Sequence, residues 1–128
     1  MDYRLTEITP CIVRLVIARS VQMTGIRRAS RILGRQVLNS AIDLDPVIWE
    51  RRAMIMRGLC ARLPDTACLS RALALRWWMR ASGIDARMKI GVRKTSGQLE
   101  SHAWTEVDGH AFGEAKTVLS DFLVVDTY

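Results

Sequence analysis

The chain has 128 residues, enough for one compact domain, or for a domain with a helical extension, and enough to bury a core without disulfides or metal. Its residues are 49% apolar, which argues against disorder, and its net charge of +6 points to an acidic partner or simply to a soluble basic face. Three irregularly spaced cysteines, with no CxxC pair or zinc spacing, indicate neither a disulfide framework nor a structural zinc site and fit reduced thiols in the cytoplasm.

The longest apolar run, near residues 12–18, is interrupted by Arg14 and is too short and too charged to span a membrane. Asp2 and Glu7 spoil a signal-peptide n-region, and no cleavage site of small residues follows. The first helix is predicted over about residues 10–23, with Thr9 as cap and Pro10 in the first turn. A second is predicted over about residues 24–38. Ile26, Ala29, Ile32, Leu33 and Val37 form its apolar face, and Arg27, Arg28, Arg31 and Arg35 lie mostly opposite. That arginine stripe reads as a solvated face or a docking surface for an acidic partner. A third helix is predicted over about residues 45–63, capped by Asp45 with Pro46 at its first position. Val47, Ile48, Ile55, Leu59 and Leu63 are its expected core face.

Pro64 breaks the chain, and Asp65 or Thr66 caps a fourth helix that runs to about Ala81 and ends at Gly83. Alternation then takes over. Ala86, Met88, Ile90 and Val92 share one face of a strand over residues 84–93. A turn at residues 95–98, a strand over 99–107, the Asp108-Gly109 turn and a strand over 110–115 complete a meander. Residues 122–125 read as a short last strand or a tail. Helices followed by hairpin-linked strands give an α+β fold, with residues 1–63 as a helical region and 64–128 as the core that carries the chemistry.

Cys68 falls in the first turn of the fourth helix under either cap. Free amides and the helix dipole there favour a thiolate, and the same amides can form an oxyanion hole. Cys60 lies late in a helix, where the dipole has the wrong sign, and no nearby histidine follows Cys11. Alone, Cys68 would read as a small buried hydrophobe. It is followed by His102 on a strand and Glu114 on the next.

The Asp108-Gly109 turn decides how those two residues meet. A two-residue loop pairs Val107 with His110 and sends His102 and Glu114 to opposite faces. A three-residue loop pairs Glu106 with His110, Trp104 with Phe112 and His102 with Glu114. Gly109 at the third loop position favours the second register, in which Glu114 orients the imidazole and leaves its other nitrogen for Cys68. Asp108, Asp121 and Asp126 are the alternative acids, with Asp108 assigned to the turn. His110 reads as a rim residue. Of the adjacent Trp77 and Trp78, one should be core and the other at an interface; Trp104 should wall the site or pack in the core.

The segments Cys68-Leu69-Ser70-Arg71-Ala72-Leu73-Ala74-Leu75, Gly83-Ile84-Asp85-Ala86-Arg87, Ile90-Gly91-Val92-Arg93 and Ser101-His102-Ala103-Trp104-Thr105-Glu106-Val107-Asp108-Gly109 resemble the transglutaminase-like leader peptidases of lasso-peptide biosynthesis. The resemblance covers about residues 64–114, close to half the chain. Its His-Ala-Trp part is shared with other transglutaminase-like proteins. It implies a papain-like core in which a Cys-bearing helix packs on a small antiparallel sheet. It also implies a triad of Cys68, His102 and the acid at position 114, where the family often has Asp and this chain has Glu.

The implied substrate is a ribosomally made precursor peptide, cut between leader and core without metal or nucleotide. The implied partners are a separate leader-recognition protein and the ATP-dependent cyclase that closes the macrolactam, since the residues before Pro64 read as helices and not as a small winged fold. Rival readings are a transglutaminase-like acyltransferase, a non-catalytic peptide-binding module and a basic nucleic-acid binder that uses the first two helices. No base-reading pattern supports the last.

Overall fold

A computed structural model describes residues 3–34, 45–63 and 67–128. Its helices are α1 (Leu5–Gln22), α2 (Ile26–Ile32), α3 (Pro46–Cys60), α4 (Ala67–Ala81) and a short α5 (Lys116–Leu119) that the sequence reading did not include. Its strands are β1 (Arg87–Thr95), β2 (Gln98–Val107), β3 (His110–Ala111) and β4 (Leu123–Thr127), in the antiparallel order β3-β2-β1-β4. This is an α+β fold.

α1 begins one and a half turns before the expected start. The Glu7 carboxylate accepts the Arg4 backbone N–H (3.0 Å) and also receives Arg51 from α3, which anchors a first turn ahead of Pro10. Pro10 therefore lies inside the helix, and Thr9 is not its cap. α2 buries Ala29, with Leu33 just past its end, but leaves Ile32 half exposed; Arg35 and Val37 lie outside the described residues. α3 starts as expected, with the Asp45 side chain accepting the Val47 N–H (3.0 Å) and Pro46 at its first position.

The core face of α3 differs from the expected one. Trp49, Ala53, Ile55, Met56 and Cys60 are buried, whereas Val47, Ile48, Leu59 and Leu63 are exposed. Ala53 lies close against Gly113, and the Trp49 ring meets Trp78 of α4 edge-on at 5.5 Å, so these contacts set which face turns inward.

α4 is packed against by α1, α3 and β2. Leu73 and Met79 are fully buried, and Trp78 is the buried member of the tryptophan pair, with Trp77 half-buried. The Thr105 hydroxyl on β2 donates to the Ala72 carbonyl (2.8 Å), which fixes the strand against the helix one turn beyond Cys68. Residues 95–98 form the expected turn, a two-residue loop, and β1 pairs with β2 along its whole length.

The second hairpin closes in the register that the sequence analysis did not favour. Val107 pairs with His110 and Glu106 with Ala111, around a two-residue loop. Asp108 (φ 49°) and Gly109 (φ 81°) both take the left-handed region, the turn whose twist matches the flanking strands and which an Asp-Gly pair suits. β3 then ends at Ala111, four residues short of its expected length.

Candidate active site

Cys68 is the second residue of α4, in the turn whose amide groups have no intrahelical acceptor; residues 65 and 66, where its cap was expected, lie outside the described residues. The thiol is partly buried and hydrogen-bonds to the His102 ring and to the Ala103 backbone N–H. Burial alone would push its pKa up. The two hydrogen bonds, with the charges of His102 and Arg71, outweigh it and hold the thiol below the ordinary value of 9.0.

His102 sits on β2 opposite Gly91 of β1. Its Nε2 lies 2.9 Å from Glu114 Oε1, which leaves Nδ1 for the thiol. The hydrogen bond with Cys68, then that with Glu114, raise its pKa to about 9 against the opposing effect of burial. Trp104 stacks on the ring at 5.9 Å, and Phe122 lies against it at 5.6 Å. Gly91 makes room for this group, because a Cβ there would stand 2.8 Å from the Trp104 ring. Trp104 is therefore buried and backs the imidazole, and does not line the cleft over the thiol.

Glu114 reaches His102 by a route other than strand pairing. After Phe112 donates its N–H to the Thr105 carbonyl (3.0 Å), Gly113 turns the chain with φ 73°. The Glu50 carboxylate accepts the Gly113 N–H (2.9 Å), and Arg57 donates to its carbonyl (2.8 Å). The turn carries the Glu114 carboxylate, only 5% exposed, under the imidazole, where Arg71 donates to it at 3.0 Å.

The structure thus brings Cys68, His102 and Glu114 together, and adds Arg71, which the sequence reading gave no role. Its signal was spacing: three residues after Cys68 on one helix face. The alternative acids lie elsewhere. Asp108 is in its turn, Asp121 is 3.9 Å from Arg93, and Asp126 accepts the Tyr128 hydroxyl. His110 is half-exposed beside Glu50 and Phe112. Cys11 and Cys60 are buried, and burial raises both thiols. Among the described residues, no group of three or more His, Cys, Asp or Glu side chains could hold a metal ion, and no helix is long and apolar enough to cross a membrane.

An open cleft of about 720 Å³ lies over the thiol. Arg57, Leu63, Cys68 and Arg71 form one wall; Leu99 and His102 belong to the other. A thiolate beside an imidazolium in such a cleft can add to a carbonyl carbon and return a proton to the leaving group.

The model of the transglutaminase-like superfamily matches residues 11–127, and the chain belongs to that superfamily, which includes cysteine peptidases and acyltransferases. No curated protein and no solved structure matches the chain.

Proposed function

We propose that this protein is a cysteine endopeptidase that removes the leader from a ribosomally made lasso-peptide precursor. The observation that carries the reading is the Cys68–His102–Glu114 arrangement, with Cys68 and His102 lining an open cleft and Glu114 buried behind the imidazole. The lasso-specific part rests on the resemblance of the segments around Cys68, Ile90 and His102.

In this mechanism Cys68 Sγ attacks the scissile carbonyl carbon, forming a C–S bond and an oxyanion that the Cys68 N–H faces. Collapse breaks the C–N bond, and His102 Nδ1 gives its proton to the departing amine of the core peptide. The leader stays on sulfur as a thioester. Water, losing a proton to His102, adds to that carbonyl; the C–S bond breaks, and thiolate and leader acid are released. Glu114 holds the imidazole and stabilises its charged form. The enzyme works in the cytoplasm with a separate leader-binding protein, beside the ATP-dependent cyclase.

The test is mass spectrometry of the precursor incubated with this protein and its leader-binding partner. A single cut at the leader–core junction, lost in Cys68→Ala and His102→Ala variants that still fold, is expected. Retained cleavage in Cys68→Ala would sink the mechanism. A leader recovered as an amide of an added amine, with no free acid, would make the protein an acyltransferase.

A further inference from the structure

Among the described residues, the edge of β2 that faces away from β1 is open for most of its length. β3 pairs only with Glu106 and Val107, and Phe112 adds one bond to Thr105. Among the described residues, no strand lies beside residues 98–103 on that side.

Which main-chain groups point there follows from antiparallel geometry, where alternate residues direct their N–H and C=O to opposite edges. The Thr105 carbonyl accepts from Phe112, away from β1. The Ala103 N–H points the same way, to Cys68 Sγ. Ser101 and Leu99 share that parity. The two-residue loop joining β1 to β2 gives the same answer from the other end: Thr95 pairs with Gln98, so Gln98 bonds inward and Leu99 outward.

Leu99 and Ser101 therefore present two donors and two acceptors to the cleft, and both side chains are exposed. An open edge of this kind is a template for another extended chain. The next outward N–H along the same edge, that of Ala103, is already taken by the thiol. A chain that pairs with Leu99 and Ser101 runs straight into Cys68.

We infer that the peptide substrate binds as an added strand on the β2 edge, its main chain paired with Leu99 and Ser101, so that the next residue along delivers its carbonyl to Cys68. The inference rests on the peptidase reading and names what that site recognises: an extended main chain. Folded segments and small amides lack the alternating groups that the edge demands.

The experiment uses a series of N-acetyl-tetra-alanyl chloromethyl ketones, each N-methylated at one amide. Sγ displaces chloride and forms a thioether, and the second-order rate at Cys68 is read by intact mass and peptide mapping. Iodoacetamide, which has no strand to pair, reports the thiol itself in parallel. Methylation at alternate residues should slow labelling about tenfold, the loss of one or two main-chain hydrogen bonds, and methylation between them should change it less than about twofold. Leu99→Pro removes an outward N–H without touching the β1–β2 ladder, and should flatten that alternation relative to the iodoacetamide rate.

Equal slowing at every position, or none, overturns the inference, and the wild-type series decides this even if the proline variant fails to fold. Alternation with an iodoacetamide rate no faster than that of an ordinary thiol would leave the edge standing and overturn the cysteine-nucleophile reading instead.

Discussion

The buried Glu114 carboxylate faces the His102 imidazole and two guanidiniums, Arg71 at 3.0 Å and Arg57 at 3.9 Å, and His102 and Arg71 act on different limbs of a pH profile. With His102 raised to about 9 and Cys68 held below its ordinary value, the ion pair forms under pH 9.0 and persists until the imidazolium loses its proton. Peptide cleavage should therefore rise as Cys68 ionises and fall near pH 9. Glu114→Gln removes a group that raises His102, so the alkaline limb should move to lower pH, with kcat reduced roughly 10²-fold or more. Arg71 lowers the thiol through its charge, so Arg71→Met should move the acid limb to higher pH. It also leaves Glu114 without its 3.0 Å partner and should cost about 1–3 kcal/mol in urea unfolding. An unmoved acid limb in Arg71→Met, read from the pH dependence of Cys68 alkylation, would remove the arginine from the electrostatics of the site.

The turn after β3 is where element geometry decides the site. Gly113 holds φ 73°, and an added Cβ would stand 3.0 Å from that of Ala53. Gly113→Ala should cost about 1–2 kcal/mol in backbone strain and, by shifting Glu114, should lower the His102 pKa seen by NMR titration. A stability loss with an unchanged His102 titration would show that the carboxylate is placed by Arg71 and not by the turn. The same turn marks a limit of the sequence. The contact between His102 and Glu114 was legible, but the register proposed to produce it was not the one adopted. Alternation along a strand says which residues share a face only while the strand continues, and β3 stops at Ala111. Gly113 was visible as a glycine, but nothing local showed that its amide and carbonyl are held by Glu50 and Arg57, more than fifty positions away. The strands and the Cys helix were legible because period-two alternation and a proline break are local signals. On α2 the expected face held for Ile26, Ala29 and Leu33 and failed at Ile32; the burial face of α3 was not legible, because that helix carries apolar residues on more than one side and packing chooses among them.

At the scale of the molecule, α4 is the element on which the other layers meet. Its first turn carries Cys68; two turns later, roughly 12 Å along the axis at 1.5 Å per residue, it carries Arg76. Arg76 is 6% exposed and donates to the carbonyls of Ser30, on α2, and Tyr128, beyond β4 (both 3.1 Å). Burial lowers its pKa to about 10, which leaves it charged at neutral pH. A single guanidinium thus ties a helix of the first half of the chain and the last strand to α4, at the end of the helix away from the thiol. Arg76→Met fills much of the same volume but leaves the Ser30 carbonyl unpaired, while the Met88 N–H still donates to that of Tyr128 (2.8 Å), and should cost about 1–3 kcal/mol in urea unfolding. The hydrogen bonds that set Cys68 reactivity involve only α4's first turn, β2 and the Gly113 turn. The alkylation rate of Cys68 in the folded fraction should then match the wild type. A change in that rate as large as the loss of stability would mean that the two ends of α4 are coupled, and that the site depends on how the two halves of the chain are held together.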